Sequence, residues 1–284
     1  MKGLCVRKCL WGLLALLFVL ALLTPDVRAE ETTESEFHDR LMIRGGWAYV
    51  FGADVNTTFR GPRTGIGANI DFTNTLGGGS STNAFRLDGL YRFNDRHAIG
   101  ASWYRVGLSG QTALNQDIQI EDNLISAGAS TQTSLSLNLY RLLYNYSFYH
   151  NDKVELAVSP GLYMVRTKFS LSAQGTINNI ASNATTVSEQ LTVPLPSIGL
   201  VANYNITPKL QFQSRFDFFY LAVGDYTGEM FEFYAGLEYR LFKHLAMGAA
   251  YDRLAAGLKN DSSSGYAINV SYNLAYVYAT LYAF

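Results

Sequence analysis

The sequence predicts an all-β chain: a single antiparallel up-and-down transmembrane β-barrel of about ten strands, with eight or twelve as alternatives. Three observations carry this reading. The 284 residues are 14% aromatic and only 16% charged, with a formal net charge of -1, whereas soluble domains average roughly 25% charged residues. Beyond the N-terminal segment no stretch of about 18 apolar residues occurs, so a helical span is excluded. What does recur is a period of two. On the last strand Tyr266, Ile268, Val270, Tyr272, Leu274, Tyr276, Tyr278, Thr280, Tyr282 and Phe284 share one face, bulky and aromatic, and mostly small or polar residues share the other. A soluble sandwich uses strands of about 5–6 residues; this alternation persists far longer. The bulky face is therefore expected toward lipid, with Val270 and Tyr272 outward and Ser271 toward the lumen. Abundant aromatics exclude disorder, and the near-neutral charge without a basic cluster excludes a nucleic-acid groove.

The elements follow in order. Residues 1–11 carry Lys2, Arg7 and Lys8, residues 12–23 are nearly all apolar, and Val27-Arg28-Ala29 closes the segment. A charged head, an apolar run and small residues at a cut site form a secretory signal peptide, 1–29. An anchor helix would need about 20 apolar residues. Residues 30–284 are expected to form one barrel domain. Cys5 and Cys9 leave with the signal, so the mature chain has no thiol for a disulfide or a metal.

Strands are expected near 40–51, 83–93, 97–108, 131–148, 153–171, 189–204, 209–223, 230–242, 245–258 and 265–284. Tight breaks (94–96, 150–152, 205–208, 243–244) alternate with looser ones. Short periplasmic turns and longer external loops produce that alternation. The first loose break has room for a further hairpin, 57–60 with 68–72.

These residues carry a resemblance. The chain ends in Phe284, preceded by Tyr282, Tyr278 and Tyr276. Segments 85–94 (FRLDGLYRFN), 140–148 (YRLLYNYSF), 223–226 (VGDY) and 236–242 (GLEYRLF) resemble those of small Gram-negative outer-membrane β-barrel proteins, a largely uncharacterised group. The resemblance implies an outer-membrane location and contact with outer-membrane lipid and lipopolysaccharide. It also implies that Tyr276, Tyr278, Tyr282 and Phe284 act as the signal read by the barrel-assembly machinery. It brings no catalytic residue and no cofactor.

If the apolar positions face lipid, the opposite faces place Arg44, Arg86, Asp88, Arg92, Arg141, Glu155, Arg215, Asp217, Glu238, Arg240 and Asp252 in the lumen. Near-equal numbers of opposite charges suit a salt-bridged filling of a narrow barrel, and equally a charged constriction that selects solutes. Of the carboxylates, Asp217 is expected to pair with Arg215 and Glu238 with Arg240. His97, His150 and His244 fall at periplasmic turns, and His38 precedes the first strand. A general base must come within about 3 Å of its proton, so no enzyme is expected. Asp117, Glu121 and Asp122 match no calcium loop, and no Lys or helix follows the glycines at 77–79 to form a phosphate cradle; no metal or cofactor is expected.

The function expected is a narrow passive conduit for small solutes, with apolar ones as candidates. The alternative is a non-transporting structural or surface-interaction barrel with a plugged lumen. N-terminal sequencing of purified outer membranes should return a chain that begins at Glu30; an intact Met1 would refute the signal assignment.

Overall fold

A computed structural model describes residues 39–59, 69–72, 76–114, 117–120, 123–177, 180–262 and 265–283. The signal segment, His38, Glu121, Asp122 and Phe284 lie outside them. The strands are β1 (Leu41–Phe59), β2 (Asn69–Asp71), β3 (Thr82–Asn94), β4 (His97–Ala113), β5 (Ile118–Ile120), β6 (Asn123–Ile125), β7 (Ser130–His150), β8 (Val154–Ile177), β9 (Ile180–Asn205), β10 (Leu210–Val223), β11 (Tyr226–Phe242), β12 (Leu245–Asn260) and β13 (Tyr266–Ala283). Ten long strands close a ring in the order β1-β3-β4-β7-β8-β9-β10-β11-β12-β13, with β13 pairing back onto β1. Every neighbouring pair in that ring is antiparallel. Ring closure leaves no free edge strand, which a bilayer demands of any sheet that crosses it.

The three short strands decorate the external side. β2 pairs with β1 through Asn56–Thr58, where the sequence left room for an extra hairpin; it does not join the ring. The β5–β6 hairpin touches β8 at a single rung. β8 and β9, at 24 and 26 residues, run well beyond their expected lengths. Polar Ser, Thr and Gln continue the ladder there after the apolar belt has ended, and about 9–11 residues already suffice to cross.

Outward positions form the apolar belt: Trp47, Leu142, Ile198, Leu237, Val277 and Leu281 are all exposed. On β13 this reverses the expected facing. Tyr272, Leu274, Tyr276, Tyr278 and Tyr282 point into the barrel and are at most 8% exposed, while Val277 and Leu281 are 60% and 58% exposed. Val270 packs against the internal cluster, and Ser271 is on the outward face. Bulk misled the reading because tyrosine is large without being purely apolar: its hydroxyl seeks a partner when buried. Those partners are in the lumen, as described below. Gly248 makes the inward rotation possible, since a Cβ there would lie 2.4 Å from the Tyr278 ring.

Rotation of β13 can be tested directly. Val277→Arg should destabilise the barrel by about 2–4 kcal/mol near mid-membrane, and Asn273→Arg, closer to the outer interface, by about 0–1 kcal/mol. Urea titration of both variants in lipid vesicles measures the losses, and a Val277→Arg variant no less stable than the wild type would restore the original rotation.

Candidate functional site

The lumen is filled in three levels. Nearest the periplasmic turns, Arg92 forks onto Glu155 with Nη1 at 2.7 Å and Nη2 at 3.2 Å. Ser147 and Asn203 donate to the same carboxylate at 2.6 and 3.0 Å. Arg240 pairs with Asp39 at 2.7 Å and lies over the Tyr282 ring. A cavity of about 130 Å³ opens above Arg92 and Glu155, lined also by Leu90, Leu143, Asn145 and Asn203.

At mid-height the charges are buried. Arg44 donates to Glu238 Oε2 at 2.7 Å, to Gln213 at 2.8 Å, to the Tyr234 hydroxyl at 3.1 Å and to Thr280 at 3.2 Å. Thr280 and Tyr282 both donate to Glu238, and the guanidinium lies 4.2 Å above the Tyr278 ring. Arg86 reaches Asp252 at 2.6 Å and Asp88 at 3.1 Å, enclosed by the rings of Tyr104, Tyr234 and Tyr276. Arg141 joins Asp88 to Glu232 and donates to Ser102 at 2.7 Å. Arg215 binds Asp217 at 2.7 Å and Glu232 at 3.2 Å. The Tyr163 hydroxyl sits between Asp217 and Glu232, with one hydrogen for two carboxylates. Asp217 is accommodated because Gly199 faces it across the ladder; a Cβ there would fall 2.3 Å from Oδ1.

Nearest the external side the filling is apolar. Val50, Val106, Leu108, Leu135, Leu137, Leu254 and Leu274 meet Phe72 and Leu76 from the connection between β2 and β3. That connection is pinned by a bridge between Gly78 and Gly110. A Cβ on Gly110 would lie 1.9 Å from the Gly77 carbonyl, so the close approach needs glycine.

The structure places all eleven expected lumen charges on the inner face, but it distributes them over separate groups. Glu238 pairs with Arg44, and Arg240 with Asp39, rather than with each other. Charges two residues apart on one strand were assumed to be partners, whereas barrel curvature brings opposing strands within reach. Glu232 was missed, although it shares strand and parity with Glu238 and Arg240 and could have been found by that signal. Asp39 lies before the expected first strand. Of the tyrosines that complete the network, those of β13 (Tyr276, Tyr278 and Tyr282) carry the opposite expectation, toward lipid.

His97, His150 and His244 sit at the turn ends of β4, β7 and β12. The His97 ring touches Tyr144 and Tyr146, and His150 approaches Glu155 at 3.9 Å. Among the described residues no group of three or more His, Cys, Asp or Glu has metal-binding geometry.

No family model matches the chain, and no curated protein resembles it in sequence. Solved structures do resemble it in shape. The outer-membrane protease OmpT from Escherichia coli aligns over 90% of this chain and 99% of its own at 12% identity, with a TM-score of 0.53. OprG from Pseudomonas aeruginosa covers 88% and 100% at 12% identity, and the toluene transporter TodX from P. putida 87% and 91% at 9%, both with TM-scores of 0.35. The first likeness shows the fold of outer-membrane barrels; the other two are too distant in shape to argue from.

It also corrects the expectation of no enzyme. Histidine placement cannot exclude catalysis in a fold that includes a protease, because one architecture hosts many chemistries. Whether this chain is an enzyme is unresolved.

Glu232 holds two guanidiniums, and removing it leaves Arg141 with only Asp88 and Arg215 with only Asp217 in a closed interior. Glu232→Ala should cost about 3–5 kcal/mol. Its urea midpoint in vesicles should fall well below that of an exposed control such as Glu229→Ala; equal midpoints would show that Glu232 is not structural.

Proposed function

We propose that this protein is an integral outer-membrane barrel whose lumen is shut at mid-height, so that it works through its external surface rather than as a standing pore. The observation that carries the reading is burial. Asp217, Glu232, Glu238 and Asp252 are 0% exposed although all four face the lumen. A water-filled channel would wet at least one of them, since an ionised carboxylate is strongly hydrated wherever water can reach it. Above this level Phe72 and Leu76 add an apolar stopper. The signal peptide expected at residues 1–29, the outward apolar belt and the long strands beyond it support the location and the orientation.

A narrow conduit for small solutes is the second reading. The cavity beneath the network favours it, because opening a path to the periplasm would then require only the mid-height ion pairs to part.

Planar-bilayer recording separates the two. Unliganded protein should show no steady ion conductance, and Asp217→Ala should lower the urea midpoint and introduce conductance together. Steady wild-type channels that Asp217→Ala alters in selectivity but not in stability would overturn the closed barrel in favour of the conduit.

A further inference from the structure

The barrel wall has an incomplete seam. β9 and β10 pair from Gln211↔Asn205 up to Phe218↔Ile198 and no further, although both strands continue. Continuing the register would set Pro196 opposite Tyr220 and Pro194 opposite Ala222. In an antiparallel ladder a residue directs its N–H and C=O to the same neighbour, and successive residues alternate between neighbours. Pro194 and Pro196 stand opposite Met164 and Leu162 of β8 in an unbroken register, which a proline can occupy only at a position that does not bond across that pair. Their nitrogens therefore face β10. The donors missing from the ladder are those of the next two bonded rungs.

Side-chain exposure marks the same place. Elsewhere on the Leu221 rung inward residues are more covered: Gly228 is buried, and Leu258 and Ile268 are half-buried. Flanking the seam, Leu191, Leu221 and Val223 have inward parity yet are 42%, 50% and 62% exposed. Behind them lie Val193, Leu195, Phe219 and Met230 in one apolar cluster. The outward belt ends at this level, with Ile198, Pro196 and Tyr220 apolar and Thr192 and Gln190 polar above. On the neighbouring strand Arg166 and Lys168 are outward and exposed, in register with Thr192 and Gln190. Arg166 donates to Gln190 at 3.3 Å, and neither cation has a carboxylate partner among the described residues.

We propose that the notch between β9 and β10 binds a phosphate-bearing acyl lipid of the outer leaflet, with one acyl chain between Leu195 and Phe219 and the phosphate against Arg166 and Lys168. The prolines argue against a peptide strand as occupant, because strand addition relies on backbone donors that they lack. Apolar lining at the top of the belt with cations one strand away matches an amphiphile lying in the membrane. The inference goes beyond the closed-lumen reading and stands whether or not the barrel conducts.

The test uses the full chain in vesicles that contain phosphatidic acid carrying a diazirine in its acyl chain. Photolabelling should mark the inward residues Val193, Leu195, Phe219 and Leu221. Arg166→Gln with Lys168→Gln should reduce that labelling about thirtyfold, from about 1 kcal/mol per basic residue at the surface. An uncharged diacylglycerol probe should label the wild type as weakly. Pro194→Val with Pro196→Val returns the donors and should close the notch to the probe. Label confined to outward Ile198 and Phe218, equal labelling by the uncharged probe, or undiminished labelling of the valine variant would each overturn the proposal. Conductance is recorded on the same samples, so a failure of the closed-lumen reading would be seen separately.

Discussion

Charge burial is the constraint on which the rest of this barrel depends. Arg86, Arg141, Asp217, Glu232 and Asp252 lie buried in an interior enclosed by an apolar outer wall. Each would be costly alone and is tolerable only when paired and hydrogen-bonded. Satisfying them dictates the rotation of every strand, down to the glycines at 199 and 248 that leave room for a carboxylate and a ring. The tyrosines serve the same end. Their hydroxyls reach the carboxylates and their rings lie over guanidiniums, so one residue type supplies both the bulk that fills the lumen and the partners that its charges need.

This explains what the sequence reveals and what it conceals. Long alternating strands and the alternation of tight and loose breaks disclosed the ring, because period and turn spacing are local properties. The inner charges were legible from parity on strands that carry an Arg or Asp. β13 carries no charge, so its rotation had to be judged from size, and Tyr272 through Tyr282 were assigned to the wrong side. Its true facing is set by Arg44 and Glu238, which are remote in sequence. Pairings such as Arg240 with Asp39 were hidden for the same reason: they depend on how the ring closes.

The wall and the lumen are solved by different means. Outside, aliphatic and aromatic residues form the apolar face; inside, three levels of differing chemistry succeed one another from the tight turns outward. The wall is interrupted where Pro194 and Pro196 end the β9–β10 ladder and again where Ser159 and Pro160 drop out of the β7–β8 pairing. A local backbone rule at a few prolines thus breaks an otherwise repetitive cylinder.

Closure has a further consequence for how such a chain can reach its native state. β1 and β13 pair over nearly their full lengths, and the Arg44–Glu238 contact joins residues 194 apart in sequence. Arg44 faces Asp88 as soon as β1 and β3 pair, but it lacks Glu238 until almost the whole chain has been delivered. Folding strand by strand inside the bilayer would hold the guanidinium in hydrocarbon without its closest counter-ion for most of the process. The favourable route is a sheet assembled at the membrane surface, where water still solvates Arg44, and sealed in one late step. Contacts so distant in sequence are slow to form, so sealing, rather than hairpin formation, sets the pace.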